Sequence, residues 1–111
     1  MTTIFDKIIS GEIPCDEIFS DDKCLAFKDI TPQAPTHILI IPRKPIPSLK
    51  QIKEEDKELL GHLLLKATEI ANAIGLESWR TVINTGEAAG QTVFHLHIHI
   101  IGGRELSWPP G

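Results

Sequence analysis

The chain has 111 residues, of which 41% are apolar and 23% charged, and its formal net charge is −4 at pH 7. That length suits one domain, 1–111, whose modest core would gain from pairing with a second copy. The acidic balance argues against a nucleic-acid coat, no run approaches the ~18 apolar residues of a membrane span, and Met1 to Ser10 lacks the apolar core of a secretory signal.

The two cysteines, Cys15 and Cys24, are too few for a disulfide scaffold and sit in no Cys-x-x-Cys pair. They read as free thiols in a reducing, cytoplasmic setting. Taken in order, Thr3 to Ser10 places Ile4, Phe5, Ile8 and Ile9 at one-sided helical spacing; Gly11 ends the segment and Pro14 prevents its resumption. Glu17 to Ser20 and Cys24 to Asp29 read as short strands joined at the turn signal Asp21-Asp22. Thr31, Pro32 and Pro35 mark a loop. Thr36 to Ile41 is a β-branched, apolar run ended by Pro42, the pattern of a buried strand.

Pro42, Pro45 and Pro47 make a stiff connector. A long helix is predicted from about Glu54 to Ile74. Glu54, Glu55 and Asp56 suit the positive end of its dipole as a solvated terminus. Leu59, Leu60, Leu63, Leu64, Ala67, Ile70, Ala71 and Ile74 form its apolar stripe, and Gly75 is placed to cap it. His62 falls off the stripe and reads as a surface residue. Trp79 to Asn84 is a fourth strand, Thr85 to Gly90 a loop, and Thr92 to Ile101 a fifth strand broken by Gly102-Gly103. Five strands joined mostly by short loops, with a long helix and a short N-terminal one, predict an α+β domain. Its antiparallel sheet would carry the helices on one face.

The most informative stretch alternates His95, His97 and His99 with Leu96, Ile98 and Ile100. On a strand, alternate side chains share a face, which would line up three imidazoles about 6.7 Å apart. Three readings compete. The face is polar and solvated, or it is a zinc site, since His-x-His is a usable ligand spacing. No other ligand motif is visible, and no carboxylate lies in the strand to orient the rings. The third reading is covalent chemistry on phosphorus, because a neutral imidazole is a competent nucleophile at pH 7. The residues just before the cluster favour it. Gly86 and Gly90 let backbone N–H groups approach phosphate oxygens, while Gln91 and Thr92 add an amide and a hydroxyl.

The run Gly90-Gln91-Thr92-Val93-Phe94-His95-Leu96-His97-Ile98-His99-Ile100 resembles the signature of the histidine triad (HIT) superfamily. The likeness extends to Ile4-Phe5 with Lys7-Ile8-Ile9, to Leu25–Ile30, to Pro32–His37, and to the tail from Gly102 to Trp108-Pro109-Pro110-Gly111. Together these are similar to the branch of histidine triad nucleotide-binding proteins. A third histidine in place of glutamine sets the chain apart from the nucleotidyltransferase branch.

The resemblance implies a homodimer whose five-stranded sheets join into a ten-stranded one, and hydrolysis of purine nucleoside phosphoramidates without a metal or other cofactor. His97 would attack phosphorus and form a nucleotidyl-histidine, from which water releases the nucleoside monophosphate. His99 would assist the leaving group, His95 would support His97, and His37 would give support from behind. Gly90, Gln91 and Thr92 would bind phosphate. Asp29 would hold the ribose hydroxyls, with Asn84 near ribose and phosphate. Ile4, Phe5, Ile8, Phe27 and Ile30 would enclose the base, and Trp108 would reach toward the partner subunit's site.

Mild departures are Thr92 where many members have serine, Phe94 where others have tyrosine, and Ser107 before Trp108. Simpler roles compete at several positions. The apolar residues serve equally as core, Asp29 and Asn84 as turn residues, and His37 as a satisfied core histidine. A rival function of a different class is a nucleotide-binding adaptor with vestigial catalysis.

Overall fold

The computed structural model describes residues 2–111. Its elements run α1 (Ile4–Ser10), β1 (Glu17–Ser20), β2 (Cys24–Lys28), β3 (Thr36–Pro42), α2 (Lys57–Ala73), β4 (Trp79–Val82) and β5 (Ile98–Gly102). Short 3-10 turns fall at Leu49–Gln51, Glu54–Asp56 and Glu87–Ala89. The strands form a five-stranded antiparallel sheet in the order β1-β2-β3-β5-β4, so β1 and β4 are its edges. This is the α+β architecture expected, with the long helix and the short N-terminal one.

The helices do not share a face, contrary to expectation. Alternation along the strands sorts two cores. Cys24, Ala26, Ile38, Ile40, Ile98 and Ile100 pack against Leu63, Ala67, Ile70 and Ala71 of α2. Their neighbours Leu25, Phe27, Leu39 and Ile41 pack against Phe5 of α1 on the opposite side. Each buried leucine, isoleucine or phenylalanine among them contributes roughly 1.5–3 kcal/mol. The α1 face matters for function, because the register pairs Leu39 with His99 there.

The seven-residue α1 is too short to persist without help. Its Thr3 hydroxyl accepts from the N–H groups of Phe5 and Asp6, while the Asp6 carboxylate accepts from the Thr3 N–H at 2.8 Å. This reciprocal cap, with burial of Phe5, fixes it on the sheet. At the other helix, Gly75 adopts φ +84, its N–H bonds Asn72 O, and the Leu76 N–H bonds Ala71 O. That left-handed cap needs glycine and turns Leu76 back onto the core.

Helix α2 starts later than predicted. Glu54–Asp56 forms a 3-10 turn, and Asp56 is buried rather than solvated. Its carboxylate accepts from Lys44 Nζ at 2.5 Å and from the Lys53 N–H at 3.0 Å. His62 is likewise no free surface residue: its Nε2 lies 2.7 Å from Asp21 Oδ2, tying α2 to the first hairpin.

The fifth strand is half the length predicted. Continuing the β3–β5 register beyond Ile40–Ile98 would set Leu96 opposite Pro42, which has no N–H to give. Instead the Leu96 N–H bonds Ile46 O at 2.7 Å, and the segment from Thr92 to His97 leaves the sheet.

Candidate active site

A cleft of about 280 Å³ opens between α1 and the sheet. Of the residues singled out in the sequence, Ile4, Phe5, Ile8, Phe27, Asp29, Ile30, Thr92, His97 and His99 line it. Ile30 is 92% exposed at its rim. The Phe5 ring stands edge-on to Phe27 and His97, with centroids 5.7 and 5.1 Å away. One aromatic side chain of α1 thus forms the cleft wall and abuts the central triad ring.

Hydrogen bonds assign the protons on the histidines. His97 Nδ1 lies 2.8 Å from the carbonyl of His95, which only accepts, so Nδ1 carries the proton. The neutral ring therefore has its free lone pair on Nε2. The Gln33 N–H donates to His37 Nδ1 at 3.0 Å, which puts the His37 proton on Nε2. That Nε2 faces His99 Nδ1 at 2.9 Å and donates to it, leaving the His99 proton on its own Nε2. Among the described residues, His99 Nε2 is the one buried side-chain nitrogen or oxygen without a partner. A ring that lines the cleft thus keeps an unused donor.

Burial lowers His97's affinity for protons; the His95 charge adds to this, while the bond to the His95 carbonyl and the Asp29 charge oppose it. His99 is pushed down to about 4, first by burial and then by the neighbouring His97 and His37. Both rings are therefore neutral at pH 7.

The three imidazoles do not form a single row. His97 and His99 rings are adjacent, with centroids 5.0 Å apart, while the His95 ring stands edge-on to Phe5 at 6.1 Å and is not part of the cleft lining. Buried His95 donates from Nε2 to the Pro42 carbonyl at 2.8 Å, and its Nδ1 lies 3.7 Å from Asp6 Oδ1. It reaches His97 through its carbonyl rather than its ring.

Asp29 serves two directions. Its Oδ1 accepts from the Thr31 N–H and hydroxyl, closing a local turn, and its Oδ2 lies 3.4 Å from His37 Nε2. Ligand atoms of Asp29, His37 and His99 come within 4.8 Å of one another, so these three are the residues near the cleft able to converge on a metal. This differs from the His-x-His ligand pattern considered from sequence. The His37–His99 hydrogen bond already occupies the lone pair such an ion would need.

The loop before the triad departs from expectation at one residue. Gln91 is 1% exposed, and its amide faces into the loop. Its Oε1 accepts from the Gly86 N–H at 2.9 Å, and its Nε2 donates to the carbonyls of Pro47 and Val93. The side chain braces the loop and has no atom left to offer a phosphate. Gly90 adopts φ +99, and a Cβ there would point at the Asn84 amide 3.7 Å away. Asn84 and Gly90 thus lie side by side but outside the cleft lining, whereas Thr92 lies within it. Trp108 is 81% exposed in a tail held to β4, where Arg80 donates to the Ser107 carbonyl at 2.8 Å.

The sequence reading missed Leu39, Val93, Thr31, Lys28 and the Ile13–Cys15 turn, which also line the cleft. Leu39 was readable from its place two residues after His37 on a strand. The turn carries no chemical signal; it arrives because α1 folds back over the sheet.

Comparison with known proteins gives a consistent result. The HIT domain model matches residues 10–106. An uncharacterized HIT-like protein of Synechocystis is 60% identical over 110 residues, 98% of this chain and 96% of its own length. A HIT family hydrolase structure from Legionella pneumophila superposes with a TM-score of 0.97 at 46% identity, covering 99% of this chain and 100% of that one. A histidine triad nucleotide-binding protein from Candida albicans gives 0.81 at 29% identity, covering 97% of this chain and 83% of that one. With the domain match spanning most of its length and a HIT-like relative 60% identical over 98% of it, the chain belongs to the HIT domain family.

Proposed function

We propose that this protein hydrolyses purine nucleoside phosphoramidates through a nucleotidyl-histidine intermediate. The observation that carries the reading is the His97 ring. Its Nδ1–H is held by the His95 carbonyl, so the Nε2 lone pair is available for attack. The attack forms a bond from Nε2 to phosphorus and breaks the P–N bond. The departing amine takes the proton of His99 Nε2–H, whose other nitrogen is supplied by His37. Water then attacks the nucleotidyl-His97, returns a proton to His99, and releases the nucleoside monophosphate.

In this reading Ile4, Phe5, Ile8, Phe27 and Ile30 enclose the base. Asp29 meets the ribose hydroxyls, and Thr92 offers its hydroxyl to the phosphate from the cleft wall. Gly90 and Asn84 shape the loop behind it. The nucleotide-binding description of the Candida albicans relative supports the choice of ligand class. We further propose a cytoplasmic homodimer joined through the free edge of β4, which would place the exposed Trp108 near the second copy. The test is incubation with adenosine 5′-monophosphoramidate in the presence of a chelator. Rapid release of AMP is expected. Binding without turnover would favour the adaptor role, and activity abolished by the chelator would refute a metal-free mechanism.

A further inference from the structure

Away from the cleft, three chemically different side chains converge where the β1–β2 hairpin meets α2. They are the Asp21 carboxylate in the turn, the Cys24 thiol at the start of β2, and the His62 imidazole on α2. Their ligand atoms lie within 4.8 Å of one another. We propose that Asp21, Cys24 and His62 form a second site on this protein, one that takes a zinc ion and staples the hairpin to α2.

A thiolate, an imidazole and a carboxylate are a zinc-type donor set, and a water completes the tetrahedron. Bonds of roughly 2.0–2.3 Å from a tetrahedral ion hold its ligand atoms about 3.3–3.7 Å apart. The His62 Nε2 and Asp21 Oδ2 atoms, 2.7 Å apart, therefore have to open slightly, while the wider spacings, all within 4.8 Å, close by about 1 Å. Outer support is already built. Asp21 Oδ1 accepts from the N–H groups of Lys23 and Cys24 at 2.8 and 2.7 Å, which orients the carboxylate. Cys24 is wholly buried, while the His62 and Asp21 side chains are 24% and 22% exposed, so an ion enters from the His62 side.

The charges and protons balance. The Asp21 carboxylate accepts from two backbone N–H groups and lies 2.7 Å from His62 Nε2, a set of donors that suits its ionised form. Binding expels the Cys24 thiol proton to solvent and moves the His62 proton from Nε2 to Nδ1. A dication then meets one thiolate and one carboxylate, leaving the site neutral. Two cations stand nearby, and both have other anchors. Arg43 donates to the Asp21 carbonyl and the Ser20 hydroxyl, and Lys66 pairs with Glu69 at 2.9 Å.

The experiment is titration of the reduced, metal-stripped full chain with zinc against a chromophoric chelator, and with cobalt as a spectroscopic stand-in. One equivalent per chain is expected, with a thiolate-to-cobalt charge-transfer band. Loss of an outer-shell partner costs 10–100-fold in affinity, so His62→Gln, which removes a direct ligand, should weaken binding at least ~100-fold. Cys24→Ser should erase the band. Because Cys24 is buried, circular dichroism checks that this variant folds; the His62→Gln affinity decides the matter if it does not. No binding, a band that survives in folded Cys24→Ser, or binding lost in His99→Gln but kept in His62→Gln would each overturn the site. None of these readouts depends on hydrolase activity.

Discussion

His37 and His99 share one proton: His37 Nε2–H donates to His99 Nδ1 over 2.9 Å, and the Gln33 N–H fixes that direction by donating to His37 Nδ1. A backbone amide in a loop thereby sets the tautomer of a ring on β5, the strand next to that of His37. His37→Ala should lower kcat about 10–100-fold with little change in KM, since it frees His99 to turn or tautomerise. His37→Gln keeps a donor near the Nε2 position and should recover part of the loss. Equal kcat for the two variants in steady-state assays would remove the positioning role.

His97→Ala should cut turnover of adenosine phosphoramidate by at least ~10³-fold, the scale expected on removing a nucleophile. Affinity for AMP, measured by calorimetry, should stay within a few-fold, because the base and ribose contacts lie on α1, β2 and the Asp29 turn. Persisting turnover would move the nucleophile elsewhere.

The buried rings also predict a pH response. The unfolded chain protonates these histidines as pH falls through 6.5, whereas folded His99 resists until about 4. Between those values the unfolded state binds more protons, so stability falls as the pH falls and is untouched by this ring above 6.5. Thermal melts should show the loss, and His99→Gln should flatten it. The acid limb of kcat/KM should likewise lie below pH 6.5, because His97 is shifted in the same direction. An acid limb above that value would contradict the burial argument.

Gln91→Ala should act on stability before chemistry. It strips partners from the Gly86 N–H and the Pro47 and Val93 carbonyls, a loss of roughly 1–3 kcal/mol. A melt shows this directly. An unchanged melting temperature with a raised KM would restore the phosphate-contact role.

Gly90→Ala forces a side chain into φ +99, at a cost of about 1–2 kcal/mol, although its Cβ would meet Asn84 only at ordinary contact distance. The displaced loop carries Thr92, so KM for phosphoramidate should rise along with the loss in melting temperature. An unaltered KM would show that the Thr92 hydroxyl does not touch substrate.

Much of this molecule is legible in its sequence where periodicity and chemistry coincide. The continuous apolar run Thr36–Ile41 and the alternation of histidine with Ile98 and Ile100 mark their strands, while strand order and register come only with the fold. What escapes is set by partners remote in sequence. Pro42 truncates the ladder opposite Leu96, which no local pattern around His95 reveals. Gln91 looks like a phosphate ligand until Pro47 comes within 2.8 Å of it. Asp56 and His62 read as solvated until Lys44 and Asp21 reach them. The sorting of α1 and α2 to opposite faces depends on which strand parity each helix covers, and α1 alone is too short to declare it.

The position of Phe5 links two traits that selection or redesign would prefer to tune separately. Widening the recess by trimming this side chain also withdraws the edge-on neighbour of His97, so a broader repertoire of substrates would come with a slacker nucleophile. Variants seeking new specificity are better sought at Ile4 and Ile30, the exposed apolar residues of the lining.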